Sequence, residues 1–139
     1  MKELVFRAAK RLTVPAILVA NQRLKPPPGN PFVTAVRVDG GPDVADQYVA
    51  EHAESGDLVV TQDIPLAALL VPRNVVVLDP RGEEHTAETI GERLSIRDFM
   101  DQVRVAGGVT GGPPPYDTRA KQAFAAALDR VLTRLLRRK

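Results

Sequence analysis

Along the chain, apolar residues fall either in short unbroken runs or at three-to-four-residue spacing, and the two patterns take turns. Leu4, Val5, Ala8, Ala9 and Leu12 recur at helical spacing, which predicts an amphipathic helix over residues 3–12. The run AILVA (Ala16–Ala20) then reads as a buried strand, and FVTAVRV (Phe32–Val38) as a second. Between them KPPPGNP (Lys25–Pro31) excludes regular structure, because its prolines lack amide donors and fix φ. After Gly40–Pro42 a helix is predicted from Asp43 to about Ser55, with Asp43 as N-cap and Asp46 in the first turn. Gly56 stops it, and DLVVTQ (Asp57–Gln62) is the strongest strand in the chain. Asp63, with Pro65 two residues on, caps a helix continuing through Leu66–Val71. VVVL (Val75–Leu78) is a fourth strand.

The remainder reads as helical. Thr86–Leu94 and Ser95–Val105 are two expected segments, each opened by a hydroxyl residue. Residues 107–115 form a Gly/Pro loop, and Thr118–Arg137 is the last helix. Phe124, Ala127, Leu128, Val131, Leu132 and Leu135 make its apolar stripe, while Arg130, Arg134, Arg137, Arg138 and Lys139 place positive charge at its carboxyl end. Strands alternating with helices imply an α/β fold with a parallel sheet and helices on its faces. A helix before any strand is an unusual start for such a fold.

Composition narrows the chemistry. The chain has 139 residues, which fits one domain over 1–139, and an apolar fraction of 44% is enough for a core. Aromatics are only 4%, which argues against a base-stacking platform. There is no cysteine and there are two histidines, His52 and His85, so thiolate and multi-histidine metal sites are excluded within one chain. Any metal is held by oxygen, which favours Mg²⁺ or Mn²⁺. No apolar run approaches the roughly 20 residues that span a bilayer, so a cytoplasmic protein without membrane contact is expected. A formal net charge of +2 does not by itself indicate nucleic-acid binding.

Ligands of open parallel sheets bind outside the carboxyl ends of the strands. Asp63 lies just beyond DLVVTQ, Thr61 can point to the same side, and Asp43 and Asp46 open the helix after another strand. Three such carboxylates on one rim could hold a divalent cation that activates water. The pattern alone favours plain helix capping for Asp43 and Asp63. Arg81, in the Arg81-Gly82-Glu83 turn after the fourth strand, is placed either to bind phosphate or to sit in a solvated turn. Asn21 follows the first strand at the same end, and Arg97 either reaches the rim or pairs on the helix surface with Asp98. His52 reads as a packing residue within a helix, and His85 as part of a polar turn without a partner.

Several segments, in order, resemble the YaiI/YqxD family of PIN-like proteins. They are VANQ (19–22), DVAD (43–46), GDLVVTQDIPLA (56–67), DPRGE (79–83), RLSIRDFMD (93–101) and TGGPPP (110–115). The resemblance implies a three-layer PIN-like domain, with a mostly parallel sheet flanked by helices. It maps Asp46 and Asp63 onto acidic positions of the PIN-like rim, Asp43 beside them, and Thr61 onto the threonine of a TxD motif. It also implies a first, central strand ending in Asp-Ala-Asp-Ala-Cys-Pro, between AILVA and DLVVTQ, which this sequence lacks. A start codon assigned downstream, a trimmed chain or an adapted chain would each account for that, and the first two accord with a sequence still patterned to surround the strand.

Two functional expectations follow. One is a metal-dependent nuclease in which Asp46, Asp63 and Thr61 are catalytic, Asp46, Asp63 and Asp43 hold Mg²⁺ or Mn²⁺, and Arg81, Asn21 and Arg97 contact RNA or another phosphodiester. The other is a non-catalytic nucleic-acid- or protein-binding module, catalytically incomplete in this short form.

Overall fold

The computed structural model describes residues 2–23, 25–41, 43–105 and 116–137. The expected loop at 107–115 and the terminal Arg138 and Lys139 lie outside the described residues. The chain is α/β and divides into two compact units, residues 1–53 and 54–139.

The N-terminal unit comprises α1 (Lys2–Leu12), β1 (Ala16–Ala20), β2 (Val33–Arg37) and α2 (Val44–His52). β1 and β2 pair in parallel, Ala16 opposite Val33 through Ala20 opposite Arg37, and both helices pack on β1. α1 buries Ala8 and Ala9, the small residues of its predicted stripe. The proline-rich connection has no regular structure, and Asn30 anchors it by donating Nδ2–H to the Phe6 carbonyl at 2.8 Å.

Three expectations are corrected in this unit. Helix α2 ends at His52, because Ala53 is extended. Asp43 precedes α2 but is not a side-chain cap; it adopts φ 63° and accepts no capping bond through its carboxylate. An aspartate tolerates that left-handed conformation better than most residues. His52 is exposed rather than packed inside: its ring stacks on Tyr48 with centroids 3.9 Å apart, and Nδ1 lies 2.8 Å from the Tyr48 carbonyl oxygen.

The C-terminal unit holds β3 (Leu58–Val60), α3 (Ile64–Leu70), a single 3₁₀ turn (Val71–Arg73), β4 (Val76–Leu78), β5 (Glu84–His85), α4 (Ile90–Val105) and α5 (Thr118–Arg137). β3 and β4 are parallel, and β5 closes an antiparallel hairpin onto β4. Ala120, Phe124, Ala127, Leu128, Val131 and Leu135 are buried along α5, so the predicted stripe forms the helical side of the core, with Leu132 at its margin. Phe124 is fully buried, which contributes roughly 2–3 kcal/mol. Val77, Leu78, Leu66, Ala67 and Leu70 complete that core. Among the described residues β1 has only β2 as ladder partner and β3 has only β4, so each keeps one edge outside the ladders.

The two helical segments expected after residue 86 are one helix, α4. Ser95 does not start a second helix, since its Oγ donates to the Gly91 carbonyl one turn back at 3.1 Å. The start is instead organised by Thr86 and Thr89: the Thr89 amide donates to Thr86 Oγ1 at 3.3 Å and the Thr86 amide to Thr89 Oγ1 at 3.2 Å. This is the reciprocal logic of a capping box with threonine in the return position. The expected polar turn at His85 is also corrected. Pairing with Val77 carries His85 into the core at 3% exposure, and neither ring nitrogen has a hydrogen-bond partner among the described residues.

The β4–β5 loop is pressed against α5. Gly82 has φ 95°, and a Cβ built there would lie 2.7 Å from the Ala123 carbonyl oxygen. Arg134 Nη2 reaches both Glu84 carboxylate oxygens, at 3.1 and 3.2 Å, and joins α5 to β5 from the exposed side. Replacing Gly82 by Ala adds a left-handed-backbone penalty to a clash with backbone that has no rotamer to yield. We expect a loss of about 2 kcal/mol or more in urea denaturation.

Burial holds the His85 pKa below its ordinary value, and Arg93 lowers it further, while Asp79 and Glu83 oppose the shift. Because the folded pKa is depressed, the unfolded chain binds the proton more readily. The contribution of neutral His85 is therefore complete above about pH 6.5 and is lost as pH falls below it. Denaturation between pH 7 and 5 is expected to show this as a decline of at most about 1.4 kcal/mol per pH unit, absent in His85→Leu.

Candidate functional site

Parallel pairing of β3 with β4 places their carboxyl ends side by side. Val60 lies opposite Leu78, and the Thr61 amide donates to the Leu78 carbonyl at 3.0 Å, so the segments beginning at Thr61 and Asp79 leave the sheet together. The first turns at once into α3. Thr61 Oγ1 accepts the Asp63 amide at 3.0 Å, which leaves its hydroxyl hydrogen available to donate. Asp63 is extended and accepts the Leu66 amide on Oδ1 at 2.7 Å, and Pro65 occupies the first helical turn, where no amide is needed. The structural capping read for Asp63 is therefore real. It uses only one carboxylate oxygen, and Oδ2 has no hydrogen-bond partner among the described residues.

From β4 the chain enters the Asp79–Glu83 loop. Asp79 Oδ1 accepts the Arg81 amide at 2.7 Å, its carbonyl accepts the Gly82 amide at 2.9 Å, and its own amide donates to the Glu83 carbonyl at 2.8 Å. This closes the loop tightly and sets Arg81 at the rim. The Arg81 guanidinium carbon lies 5.8 Å from the centre of the Tyr116 ring, a cation–π distance. Tyr116 is itself held by donating its hydroxyl to the Pro80 carbonyl at 2.9 Å. Burial raises the Tyr116 pKa, so the phenol stays protonated and remains a donor. Glu83 is held below the usual carboxylate range, first by its hydrogen bond from Arg93 at 2.6 Å.

In the N-terminal unit Asp43 and Asp46 stand one turn apart at the start of α2, Asp43 exposed and Asp46 half-buried. A carboxylate oxygen of one lies within 4.8 Å of a carboxylate oxygen of the other. Asn21 is an exposed bend residue after β1. Arg97 is exposed on α4 with Nη1 3.6 Å from Asp98 Oδ1, the surface pairing that its sequence position allowed.

Asp79 is a rim carboxylate that the sequence reading did not single out. Its signal was the one used for Asp63, an aspartate just past the end of a predicted strand. Tyr116, which follows a proline run, carried no periodic signal, and only the folded loop reveals its contact with Arg81.

The sequence model of the family described as uncharacterized BCR, YaiI/YqxD family, matches residues 1–134. The chain belongs to the YaiI/YqxD family. A UPF0178 protein of Syntrophobacter fumaroxidans is 52% identical over 134 residues, covering 96% of this chain and 87% of that protein. One of Myxococcus xanthus is 52% identical over 137 residues, covering 99% of this chain and 89% of its own, and one of Bordetella petrii is 53% identical over 132, covering 95% and 87%. No solved structure gives a significant match. No described helix of this YaiI/YqxD chain is long and apolar enough to cross a membrane.

Cap and ligand roles at Asp63 are separable by substitution. Asn retains an oxygen for the Leu66 amide, whereas Ala removes it. Asp63→Ala is expected to lose about 1 kcal/mol in thermal or urea unfolding, and Asp63→Asn only a few tenths.

Proposed function

We propose that this YaiI/YqxD protein is a metal-dependent nuclease of PIN type that hydrolyses phosphodiester bonds in RNA. The observation that carries the reading is Asp63: it stands at the carboxyl end of a parallel strand, commits one oxygen to the backbone and keeps the other available beside Thr61. Asp46 and Asp43 are the further carboxylates in this reading, and their oxygen donors fit Mg²⁺ or Mn²⁺ rather than a softer metal. When bound, such an ion would lower the pKa of water and offset the charge that develops on the phosphodiester.

The residues divide the remaining work. The backbone bonds of Asp63 hold its carboxylate against rotation, and the Thr61 hydroxyl is placed to donate to an oxygen at the rim. The Arg81 guanidinium, steadied by Tyr116, supplies a fixed positive charge for a phosphate oxygen. Asn21 and Arg97 fall to the periphery of this reading as contacts to the strand beyond the scissile bond.

Calorimetric titration with Mg²⁺ and Mn²⁺, run beside cleavage of an end-labelled single-stranded RNA, tests the proposal. Wild type is expected to bind a divalent ion and cut; Asp46→Asn and Asp63→Asn are expected to fold normally, bind at least about tenfold more weakly and cut at most a hundredth as fast. Full cleavage by both variants would overturn the assignment. Salt-sensitive RNA binding that both variants retain, without cleavage by any form, would favour the non-catalytic binding module.

A further inference from the structure

We infer that the N-terminal unit carries a phosphate-binding subsite, formed by Arg23 and Arg37 at the carboxyl ends of β1 and β2, which holds one nucleotide unit of a single-stranded nucleic acid. The nature of the strand rests on the phosphodiester reading above. The subsite itself rests on observations within this unit.

β1 and β2 run parallel with Ala20 opposite Arg37, so the two strands end level. On one face of the pair, over its carboxyl-terminal half, lies a cavity of about 490 Å³, a size within the range of small-ligand pockets. Leu18, Ala20 and Ala35 form its apolar floor, and Gln22, Arg23 and Arg37 supply its polar groups. No carboxylate lines it. The strand ends therefore offer two guanidinium forks and an amide above an apolar surface, which suits a phosphate with its sugar or base beneath.

The lack of a lining carboxylate distinguishes this place from the basic depression along α5. Arg93 pairs with Glu83, Arg97 with Asp98 and Arg134 with Glu84, but neither Arg23 nor Arg37 has an ion-pair partner among the described residues. That second basic depression runs along α5 past Arg130, Arg134 and Arg137. Asp129 lines it too, and Arg134 is already engaged by Glu84. That surface is a solvated helix face with internal compensation. The β1–β2 cavity presents positive charge with no counter-charge of its own, and an anion removes that imbalance.

Fluorescence anisotropy of a labelled single-stranded RNA, titrated in EDTA over a series of salt concentrations, tests the subsite apart from any cleavage. Arg23→Gln/Arg37→Gln is expected to weaken binding about tenfold or more. It should also flatten the log affinity–log salt slope by about 0.7, the change for one lost phosphate contact on a single strand. Arg130→Gln/Arg137→Gln is expected to leave both quantities unchanged. A peptide nucleic acid of the same sequence, which lacks phosphates, is expected to bind wild type no better than the Arg23/Arg37 variant binds RNA. Wild-type affinity and slope in the Arg23/Arg37 variant, or tight binding of the uncharged strand, would overturn the subsite. Arg-dependent binding without cleavage in Mg²⁺ or Mn²⁺ would remove the nuclease reading and leave the subsite standing. Cleavage with Arg-independent binding would do the reverse.

Discussion

The parallel pairing of β3 with β4 is the constraint from which the candidate site follows. Parallel strands finish at the same end of a sheet, so two segments distant in sequence must leave it together. The Thr61 amide bonded to the Leu78 carbonyl is the last rung of that ladder. One residue further along each strand the chain turns, towards Asp63 on one side and into the Asp79 loop on the other. A parallel pair is stable only when its faces are covered, and the buried stripe of α5 provides apolar cover in this unit.

Packing on α5 does more than exclude water. It confines the loop that carries Arg81. Gly82 lies so near the Ala123 carbonyl that no side chain fits, Tyr116 grips the Pro80 carbonyl, and Arg134 holds Glu84. Ala123 and Arg134 belong to α5, and Tyr116 lies two residues before it. Their individual energies are modest, and the exposed ion pair adds little. Together they give a short loop one conformation. The rim thus joins a carboxylate fixed by helix capping to a cation fixed by helix packing.

Much of this was legible in the residue pattern. The four main strands, the α5 stripe and the Asp63 cap are local features, set by alternation, periodicity and the hydrogen-bonding reach of an aspartate. The α/β class followed from their order. Family membership rested on several short segments in sequence, and the match over residues 1–134 agrees with it. Less legible were features whose cause lies outside their own segment. Asp43 has the residue type of a cap, yet it sits in a left-handed conformation with no capping bond. Ser95 marks a plausible helix start, yet α4 continues through it because its hydroxyl bonds back to Gly91.

His85 shows the divide most clearly. Glu83, Glu84 and the histidine read as a polar turn, and nothing in those residues says otherwise. Pairing with Val77 in the buried hairpin carries the imidazole into the core. Arg23 and Arg37 are likewise inconspicuous in sequence, and only the level ends of β1 and β2 place them on one cavity. The sequence by itself determined where elements form and which faces are apolar, because those depend on neighbours within a few residues. Tertiary structure alone decided which charges remain uncompensated, which polar group is buried and which residues share a rim, because those depend on strand pairing between distant segments.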